Sequence, residues 1–291
     1  MTVSEEWALM GPHFDNIARL SVTEDLGSRG DPTGASLGDR LATADLVARE
    51  PGVLAGLPAI SATLEAVRDK LDSGPVQVTL RAEDGDGLEP GQVVANFWGP
   101  AVTLLAAERP ILNLICHLSG IASLTAKFVG EVKGTNAVVR DTRKTTPGLR
   151  HLEKYAVRCG GGENHRMGLY DALLVKDNHV AAAGSVLEAV KSARSFAPDL
   201  PLEVEVDTLA ELQEALDAGC ELVLLDNMDL PTLGQAIEII GAQAKSEASG
   251  GVTLESIGAI ARTGVDYIAA GALTHSAPIL DMGIDWRLDT R

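Results

Sequence analysis

The sequence has few aromatic residues, few cysteines and no excess of positive charge. Phe, Trp and Tyr make up only 3% of its 291 residues, although 45% are hydrophobic. The core must therefore be built from Ala, Val, Leu and Ile, which suits parallel α/β packing with helices on both faces of a sheet. The formal net charge of −17 argues against nucleic acid or an anionic membrane as the main partner.

Signs of secretion or membrane insertion are also missing. Its three cysteines, Cys116, Cys159 and Cys220, form neither a C-x-x-C pair nor a zinc spacing, which favours reduced thiols. The first residues, MTVSEEWALM, are acidic and contain no apolar signal core. No run approaches the roughly 20 apolar residues of a membrane span. We therefore expect a soluble, cytoplasmic protein.

Positive charge is concentrated in one segment, Arg140–His179, which contains eight Lys or Arg residues against five acids. In a strongly acidic chain, such a segment indicates a pocket for an anionic small molecule. A set of exposed ion pairs would give the same composition, and charge alone does not separate the two interpretations.

The apolar runs predict a small α+β unit followed by a repeating βα pattern. In the first hundred residues, Ile60–Leu71 has helical spacing and Val93–Gly99 alternates as a strand. The long apolar stretch Val102–Val129 predicts helix with a break near Arg109, because Pro110 suits the first turn of a second helix.

Beyond Ala137, short apolar runs end in polar residues, with helical stretches between the runs. Five marker residues at these ends are separated by 29, 21, 23 and 22 residues, which are the βα repeat lengths of a barrel or a doubly wound sheet. In a barrel, the loops that follow the strands form the active site. The markers are Lys176, Glu205, Asp226, Ser249 and Gly271.

The strand candidate LEVEVD predicts a charged barrel mouth. Glu203, Glu205 and Asp207 fall on one face of it, opposite the apolar set that would pack on the outer helices. Buried carboxylates need partners, and the candidates are Lys144, Lys176 and a divalent cation.

Four features of the sequence point to a bound ligand. Several arginines favour an acid with more than one anionic group, because Arg grips carboxylate or phosphate bidentately. The glycine run CGGGENHR lets backbone approach a ligand closely. The late segments SGG and GALTHS offer backbone N–H groups to phosphate, and the acids Glu205 and Asp226 can bind ribose hydroxyls or Mg²⁺. The cations are Arg143, Lys144, His165, Arg166 and Lys176, with Arg109 available from elsewhere in the chain.

The segment Asp141–Val180, DTRKTTPGLRHLEKYAVRCGGGENHRMGLYDALLVKDNHV, resembles the quinolinate phosphoribosyltransferase family of type II phosphoribosyltransferases. The similarity covers most of the chain through EDLG, GVLAGLP, LSGIASLT, EVEVD, LLDNM, EASGG and GALTHS. It implies an α/β fold, with an N-terminal α/β sandwich domain over 1–117 and a seven-stranded α/β (TIM-like) barrel over 118–275. The tail, 276–291, would return to the first domain, and the protein would be at least a homodimer.

The resemblance also implies a reaction and the residues that perform it. Quinolinate and phosphoribosyl pyrophosphate would give nicotinate mononucleotide, pyrophosphate and CO₂ with Mg²⁺, a step of de novo NAD synthesis. The implied quinolinate-binding residues are Arg143, His165, Arg166 and Lys176, with Arg109 contributed by the partner subunit. The implied phosphoribosyl pyrophosphate-binding residues are Lys144, Glu205, Asp226, Ser249, Gly250, Gly271 and His275. Lys144, Glu205 and Asp226 would be catalytic, and the two acids would hold Mg²⁺, partly through substrate and water.

Three other functions stay open. A phosphoribosyltransferase for nicotinate or a related base would share the fold, although the surplus of cations favours a diacid. A barrel aldolase would instead form a Schiff base on Lys176 or Lys144. A non-catalytic barrel would bind quinolinate without releasing pyrophosphate.

Overall fold

The structure is a computed structural model that describes residues 3–288, and these residues form two compact units. Unit 1 takes its described residues from Met1–Leu124, Thr146–Gly161 and Ala277–Arg291, whereas unit 2 consists of Thr125–Thr145 and Gly162–Ser276. The sequence predicts a boundary after residue 117 with all of 118–275 in the barrel.

Helices and strands alternate through most of the chain. The helices are α1 (Val3–Leu26), α2 (Pro32–Ala35), α3 (Pro58–Leu71), α4 (Ala101–Glu131), α5 (Arg150–Cys159), α6 (Asp177–Ala183), α7 (Val186–Phe196), α8 (Leu209–Asp217), α9 (Leu230–Ile240), α10 (Leu254–Ala261) and α11 (Ala272–His275). The strands are β1 (Leu41–Ala48), β2 (Gly52–Val53), β3 (Gln77–Leu80), β4 (Gly87–Leu88), β5 (Val93–Pro100), β6 (Val138–Arg140), β7 (Leu173–Val175), β8 (Leu202–Val206), β9 (Leu222–Asp226), β10 (Lys245–Ser249), β11 (Tyr267–Ala269) and β12 (Met282–Leu288).

Unit 1 contains a four-stranded sheet in the order β12-β1-β5-β3, in which every neighbouring pair is antiparallel. The predicted helix and strand of this region are confirmed as α3 and β5. Helix α3 begins with a proline, which costs no hydrogen bond at that position. Its buried Ile60, Leu64 and Val67 recur at helical spacing and join the core of the unit.

Helix α5 belongs to unit 1, although its residues lie in the segment assigned to the barrel from the sequence. Its Tyr155 is 2% exposed and meets the ring of Phe14 edge-on at 6.0 Å. The phenol hydroxyl donates a hydrogen bond to Asp84 at 2.5 Å. These partners are distant in sequence, so local patterns do not reveal them.

Helix α4 runs without a break through Pro110, so the break predicted near Arg109 is wrong. A proline in a helix removes one backbone hydrogen bond and crowds the preceding turn. Packing offsets that loss here, since Ile111, Ile115 and Leu118 are at most 1% exposed. The helix is long and apolar enough to cross a membrane, but 67% of its most apolar window is buried inside the protein, as in a core helix.

Unit 2 contains a parallel six-stranded sheet in the order β6-β11-β10-β9-β8-β7, with a helix after nearly every strand. A further parallel position is reduced to one bridge between Arg140 and Glu163. The predicted βα pattern is confirmed, and the seventh strand of the expected barrel is present only as this bridge in the described residues.

Strand β10 lies inside the sheet between β9 and β11 despite its polar sequence, KSEAS. Asp266 satisfies its first residues: it accepts hydrogen bonds from the backbone N–H and hydroxyl of Ser246 at 3.0 Å and pairs with Lys245. Paired in this way, Lys245 and Ser246 can occupy an interior strand despite their polarity.

Candidate active site

The carboxyl ends of the parallel strands in unit 2 surround a cavity of about 400 Å³. This is the end at which parallel α/β folds bind ligands, because the loops after the strands converge there. Leu174, Leu224 and Ala269 give the cavity an apolar wall. Eight of the residues predicted from the sequence line it: Arg143, Lys144, His165, Arg166, Lys176, Glu205, Asp226 and Ser249.

Arg143 and Arg166 lie close enough to influence each other. Burial and the charge of Arg143 both lower the pKa of Arg166 from its ordinary value. The Arg166 guanidinium is held from behind, since its Nη1 donates a 3.2 Å hydrogen bond to the carbonyl of Ala172. Two partly desolvated guanidinium groups side by side favour an anionic ligand strongly.

Two hydrogen bonds hold the backbone of Lys144, which lies just after β6. The hydroxyl of Thr142 accepts its N–H at 3.0 Å, and the hydroxyl of Thr274 donates to its carbonyl at 2.8 Å. Gly271 leaves room for the side chain, because a Cβ there would lie 3.0 Å from Lys144 Cδ and 3.1 Å from His275 Nε2. Lys144, Gly271 and His275 are therefore neighbours at the cavity.

Lys176 and Glu205 form a salt bridge in the cavity wall. Lys176 is one of the three partners that the sequence offers for the acids of LEVEVD, and the structure pairs it with Glu205. The salt bridge occupies the ammonium group of Lys176, one of the two lysines on which the aldolase alternative depends.

Asp226 and Ser249 end the neighbouring strands β9 and β10, and Asn227 joins them. Asn227 adopts a left-handed backbone with φ +53°. Its amide Nδ2 donates to Asp226 Oδ2 at 2.6 Å, and its backbone N–H donates to the Ser249 carbonyl at 2.9 Å. Its side chain covers Gly250, where a Cβ would lie 2.5 Å from Asn227 Cγ. Asn227, which was not predicted as a site residue, thus connects the carboxylate to the SGG loop.

His165 rests on two buried carboxylates. Its Nε2 lies 2.8 Å from Glu203 Oε2 and 3.2 Å from Glu247 Oε1. Glu203 is 4% exposed and Glu247 is fully buried. Glu247 also accepts a 2.9 Å hydrogen bond from Arg140. Burial raises the pKa of Glu203 above its ordinary value, against the opposing effect of His165.

The surroundings of His165 act on its protonation in opposite directions. Burial lowers its pKa, but hydrogen bonds to Glu203 and Glu247 outweigh burial and raise it to about 9. The backbone N–H of Arg166, however, donates to Nδ1 at 2.8 Å. That contact favours the Nε2–H tautomer, because two hydrogens cannot face each other at this separation. A second proton on Nδ1 would break the contact with Arg166.

His165, Glu203 and Glu247 have potential metal-ligand atoms within 4.8 Å of one another. A histidine that binds a metal through Nε2 normally carries its proton on Nδ1 and donates it to a neighbour. Here Nδ1 accepts a hydrogen bond, so Nε2 carries the proton. In this arrangement the three residues form a hydrogen-bonded group and do not form a metal site.

The remaining predicted residues are placed around or outside the cavity. Gly250 follows Ser249, and Gly271 and His275 adjoin Lys144. Arg109 is an exposed residue of α4 in unit 1 and is not among the residues that line the cavity. The cavity residue Glu247 was not predicted, although its position in a polar strand next to SGG was a usable signal.

A parallel α/β unit that gathers cations and carboxylates at the ends of its strands defines an enzyme-type pocket for anionic ligands. The particular family is shown by comparison with known proteins. The model of the quinolinate phosphoribosyl transferase C-terminal domain matches residues 121–285, and that of the N-terminal domain matches residues 31–119. The chain belongs to this family.

Known proteins similar to the chain agree with this assignment. It is 50% identical over 246 residues to a nicotinate-nucleotide pyrophosphorylase (carboxylating) of Mycobacterium leprae, covering 84% of this chain and 86% of the relative. A nicotinate-nucleotide pyrophosphorylase from Francisella tularensis superposes with a TM-score of 0.88 at 36% identity, over 95% of this chain and 97% of the other. NadC from Streptococcus pyogenes superposes with a TM-score of 0.87 at 40% identity, over 94% and 96%. The predicted α/β fold class is confirmed.

Proposed function

We propose that this protein transfers the phosphoribosyl group of phosphoribosyl pyrophosphate to quinolinate and removes one carboxylate. The products are nicotinate mononucleotide, pyrophosphate and CO₂, as in the de novo synthesis of NAD. The observation that carries the proposal is one cavity that holds a guanidinium pair together with carboxylates at the ends of β8 and β9. A planar diacid and a sugar diphosphate need these two kinds of partner.

The cationic part of the cavity suits quinolinate. The positive charges of Arg143, Arg166 and Lys176 would compensate its two carboxylates, with His165 beside them in the cavity, and the apolar wall would contact the pyridine ring. A diacid offers a second carboxylate to this group of cations, which a monoacid such as nicotinate does not. The residues therefore favour the diacid over the nicotinate-specific alternative.

The phosphoribosyl donor would lie against Lys144 and the late loops. Ser249, Gly250, Gly271 and His275 would contact its phosphates, where small residues let backbone N–H groups come close. Glu205 and Asp226 would accept hydrogen bonds from the ribose hydroxyls. Their hard oxygen atoms also fit Mg²⁺, which prefers one or two carboxylates together with substrate oxygens and water. When bound there, the ion would neutralise charge on the diphosphate.

The proposed chemistry is a displacement at C1 of the ribose followed by decarboxylation. The pyridine nitrogen forms a bond to C1 as the C1–O bond to pyrophosphate breaks, and Lys144 neutralises the leaving group. The acids Glu205 and Asp226 stabilise the cationic character of the sugar. In the pyridinium adduct, the C–C bond next to nitrogen breaks, CO₂ leaves, and the carbon takes up a proton. No covalent enzyme intermediate forms.

We also propose that the protein acts in the cytoplasm as a homodimer. The support for the dimer is that Arg109 is exposed on α4. In a dimer, the partner's Arg109 would complete the quinolinate site of its neighbour.

The test is turnover of quinolinate and of nicotinate with the same donor, following CO₂ and mononucleotide together. We expect equal amounts of both products from quinolinate only. Arg143→Ala and Lys144→Ala should lose activity while the protein stays folded. Lys191→Ala, which removes an exposed lysine paired with Glu188 on α7, is the matched control. Turnover of nicotinate alone, or near-normal activity of both cavity variants, would refute the proposal.

A further inference from the structure

The buried pair Glu203 and Glu247 has no part in the proposed chemistry. Glu203 is 4% exposed and Glu247 is fully buried, and Oε1 of Glu203 lacks a hydrogen-bond partner. Taking a carboxylate out of water is unfavourable, and replacing a buried ion pair with apolar residues is often neutral or stabilising. Stability alone therefore does not account for two of them under the cavity.

The two carboxylates converge on one atom, Nε2 of His165. The distances are 2.8 Å from Glu203 and 3.2 Å from Glu247. The backbone of His165 is fixed as well, because its N–H donates to Asp141 at 2.9 Å. Acceptors on the Nε2 side select the tautomer that carries its hydrogen on Nε2. Nδ1 is thereby left as an acceptor.

That acceptor is used by the next residue. The backbone N–H of Arg166 donates to Nδ1 at 2.8 Å, and the Arg166 side chain turns from this point to the carbonyl of Ala172 and the cavity. With the other tautomer of His165, the N–H of Arg166 would meet a hydrogen and would have to move. This contact therefore holds the backbone from which the Arg166 side chain extends.

Glu247 is itself held in place. It accepts a 2.9 Å hydrogen bond from Arg140, whose guanidinium carbon lies 3.3 Å from the centroid of the Tyr267 ring. A cation over an aromatic face is attracted by the ring, which restrains its position. The contacts thus form a continuous series from Tyr267 through Arg140 and Glu247 to His165.

We propose that Glu203 and Glu247 are positioning residues, which select the Nε2–H tautomer of His165 so that its Nδ1 holds the Arg166 backbone and directs the guanidinium to the substrate carboxylate. This role rests on the proposed function, since the substrate is quinolinate. It implies that the two carboxylates affect the affinity for quinolinate and do not affect the affinity for the phosphoribosyl donor.

The first test separates hydrogen bonding from charge. Glu203→Gln keeps an acceptor for Nε2–H, whereas Glu203→Met fills similar space without one. We expect Glu203→Met to raise the KM for quinolinate about tenfold or more, the loss typical of a removed charged hydrogen bond. Glu203→Gln should stay within about threefold, and the KM for phosphoribosyl pyrophosphate within about twofold, in both variants. Equal impairment by Gln and Met, or equal loss for both substrates, would overturn the proposal.

The second test replaces the ring. In His165→Asn, the amide oxygen can take the place of Nδ1 and accept the Arg166 N–H, whereas in His165→Gln the polar group lies nearer the position of Nε2. We expect the Asn variant to keep the higher quinolinate affinity. This comparison stands even where Glu203→Met fails to fold, and the reverse order would contradict the mechanism.

A structural readout and a matched control complete the design. The nitrogen NMR spectrum of isotope-labelled histidine should show the Nε2–H tautomer for His165 in the native protein and its loss in Glu203→Met. Glu153 is also fully buried and lies 2.9 Å from Nε2 of His117. Glu153→Met should therefore lower the melting temperature without changing the KM for quinolinate. A native protein that did not turn over quinolinate would disprove the function, whereas an Nδ1–H tautomer in it would disprove the positioning role.

Discussion

Substitution of Gly250 by alanine gives a sharp test of the loop that is proposed to contact phosphate. Gly250 has φ +95°, a conformation that L side chains rarely adopt. An added Cβ would lie 2.5 Å from Cγ and 2.8 Å from the backbone nitrogen of Asn227. The side chain could rotate away, but the backbone nitrogen donates to the Ser249 carbonyl and cannot. The loop must therefore move.

The next residue supplies the matched control. Gly251 has φ +58°, and a Cβ there would meet nothing within 4 Å. Both alanine variants incur the cost of a left-handed backbone, of order 1–2 kcal/mol. Only Gly250→Ala adds the steric conflict, and with it the loss of one or two hydrogen bonds to phosphate, each about 1.5–3 kcal/mol. The KM for phosphoribosyl pyrophosphate should therefore rise roughly 10-fold to 100-fold in Gly250→Ala and about threefold or less in Gly251→Ala.

Steady-state kinetics with each substrate varied in turn, together with melting curves, would measure this difference. Gly250→Ala should lose more stability than Gly251→Ala because of its steric conflict, and the KM for quinolinate should change little in either variant. Asn227→Gly removes the Cγ contact but keeps a residue tolerant of positive φ, so it should partly restore Gly250→Ala. Equal kinetics for the two alanine variants would refute the reasoning, as would a selective loss of quinolinate affinity.

Three further predictions concern the assembly, the metal and the pH dependence of stability. Mixing inactive Arg109→Ala and Arg143→Ala chains should restore about a quarter of native activity, because half of the randomly formed dimers are mixed and each mixed dimer has one complete site of two. No recovery on mixing would argue against a shared site. Chelation of divalent cations should stop turnover, added Mg²⁺ should restore it, and Glu205→Gln should raise the Mg²⁺ concentration required; turnover that survives chelation would exclude the proposed ion. Burial raises the pKa of Cys220 from 9.0 to about 11, so the unfolded chain loses this thiol proton first. The free energy of unfolding should therefore fall as the pH rises through 9 and level off near 11, and denaturant titrations of Cys220→Ala should show a smaller fall.

Much of the barrel unit could be predicted from the sequence because its signals are local. Apolar runs that end in polar residues at regular spacing identify the strands, and the polar ends then have to meet on one edge of the sheet. For this reason the sequence predicts Lys144, Lys176 and Asp226 as neighbours. The alternation in LEVEVD also indicated an inward Glu205, whose partner proved to be Lys176.

Features that depend on contacts between distant segments were beyond sequence reasoning. The series from Arg140 through Glu247 to His165 joins segments up to 107 residues apart, and no local pattern connects them. Continuation of α4 through Pro110 depends on packing that outweighs a local penalty. Asn227 was overlooked because its role comes from a left-handed backbone and not from its charge.

The pairing of β12 with β1 has a consequence for biosynthesis. Residues 42–48 and 282–288 are partners in one sheet, so β1 leaves the ribosome long before the strand that covers its edge. The segments of unit 2 between them are complete earlier and can fold first. Until β12 is synthesised, one edge of β1 has no partner strand, and such an edge can pair with strands of other chains. Nascent chains of this protein should therefore be most prone to aggregate, and most dependent on chaperones, just before synthesis of the last strand.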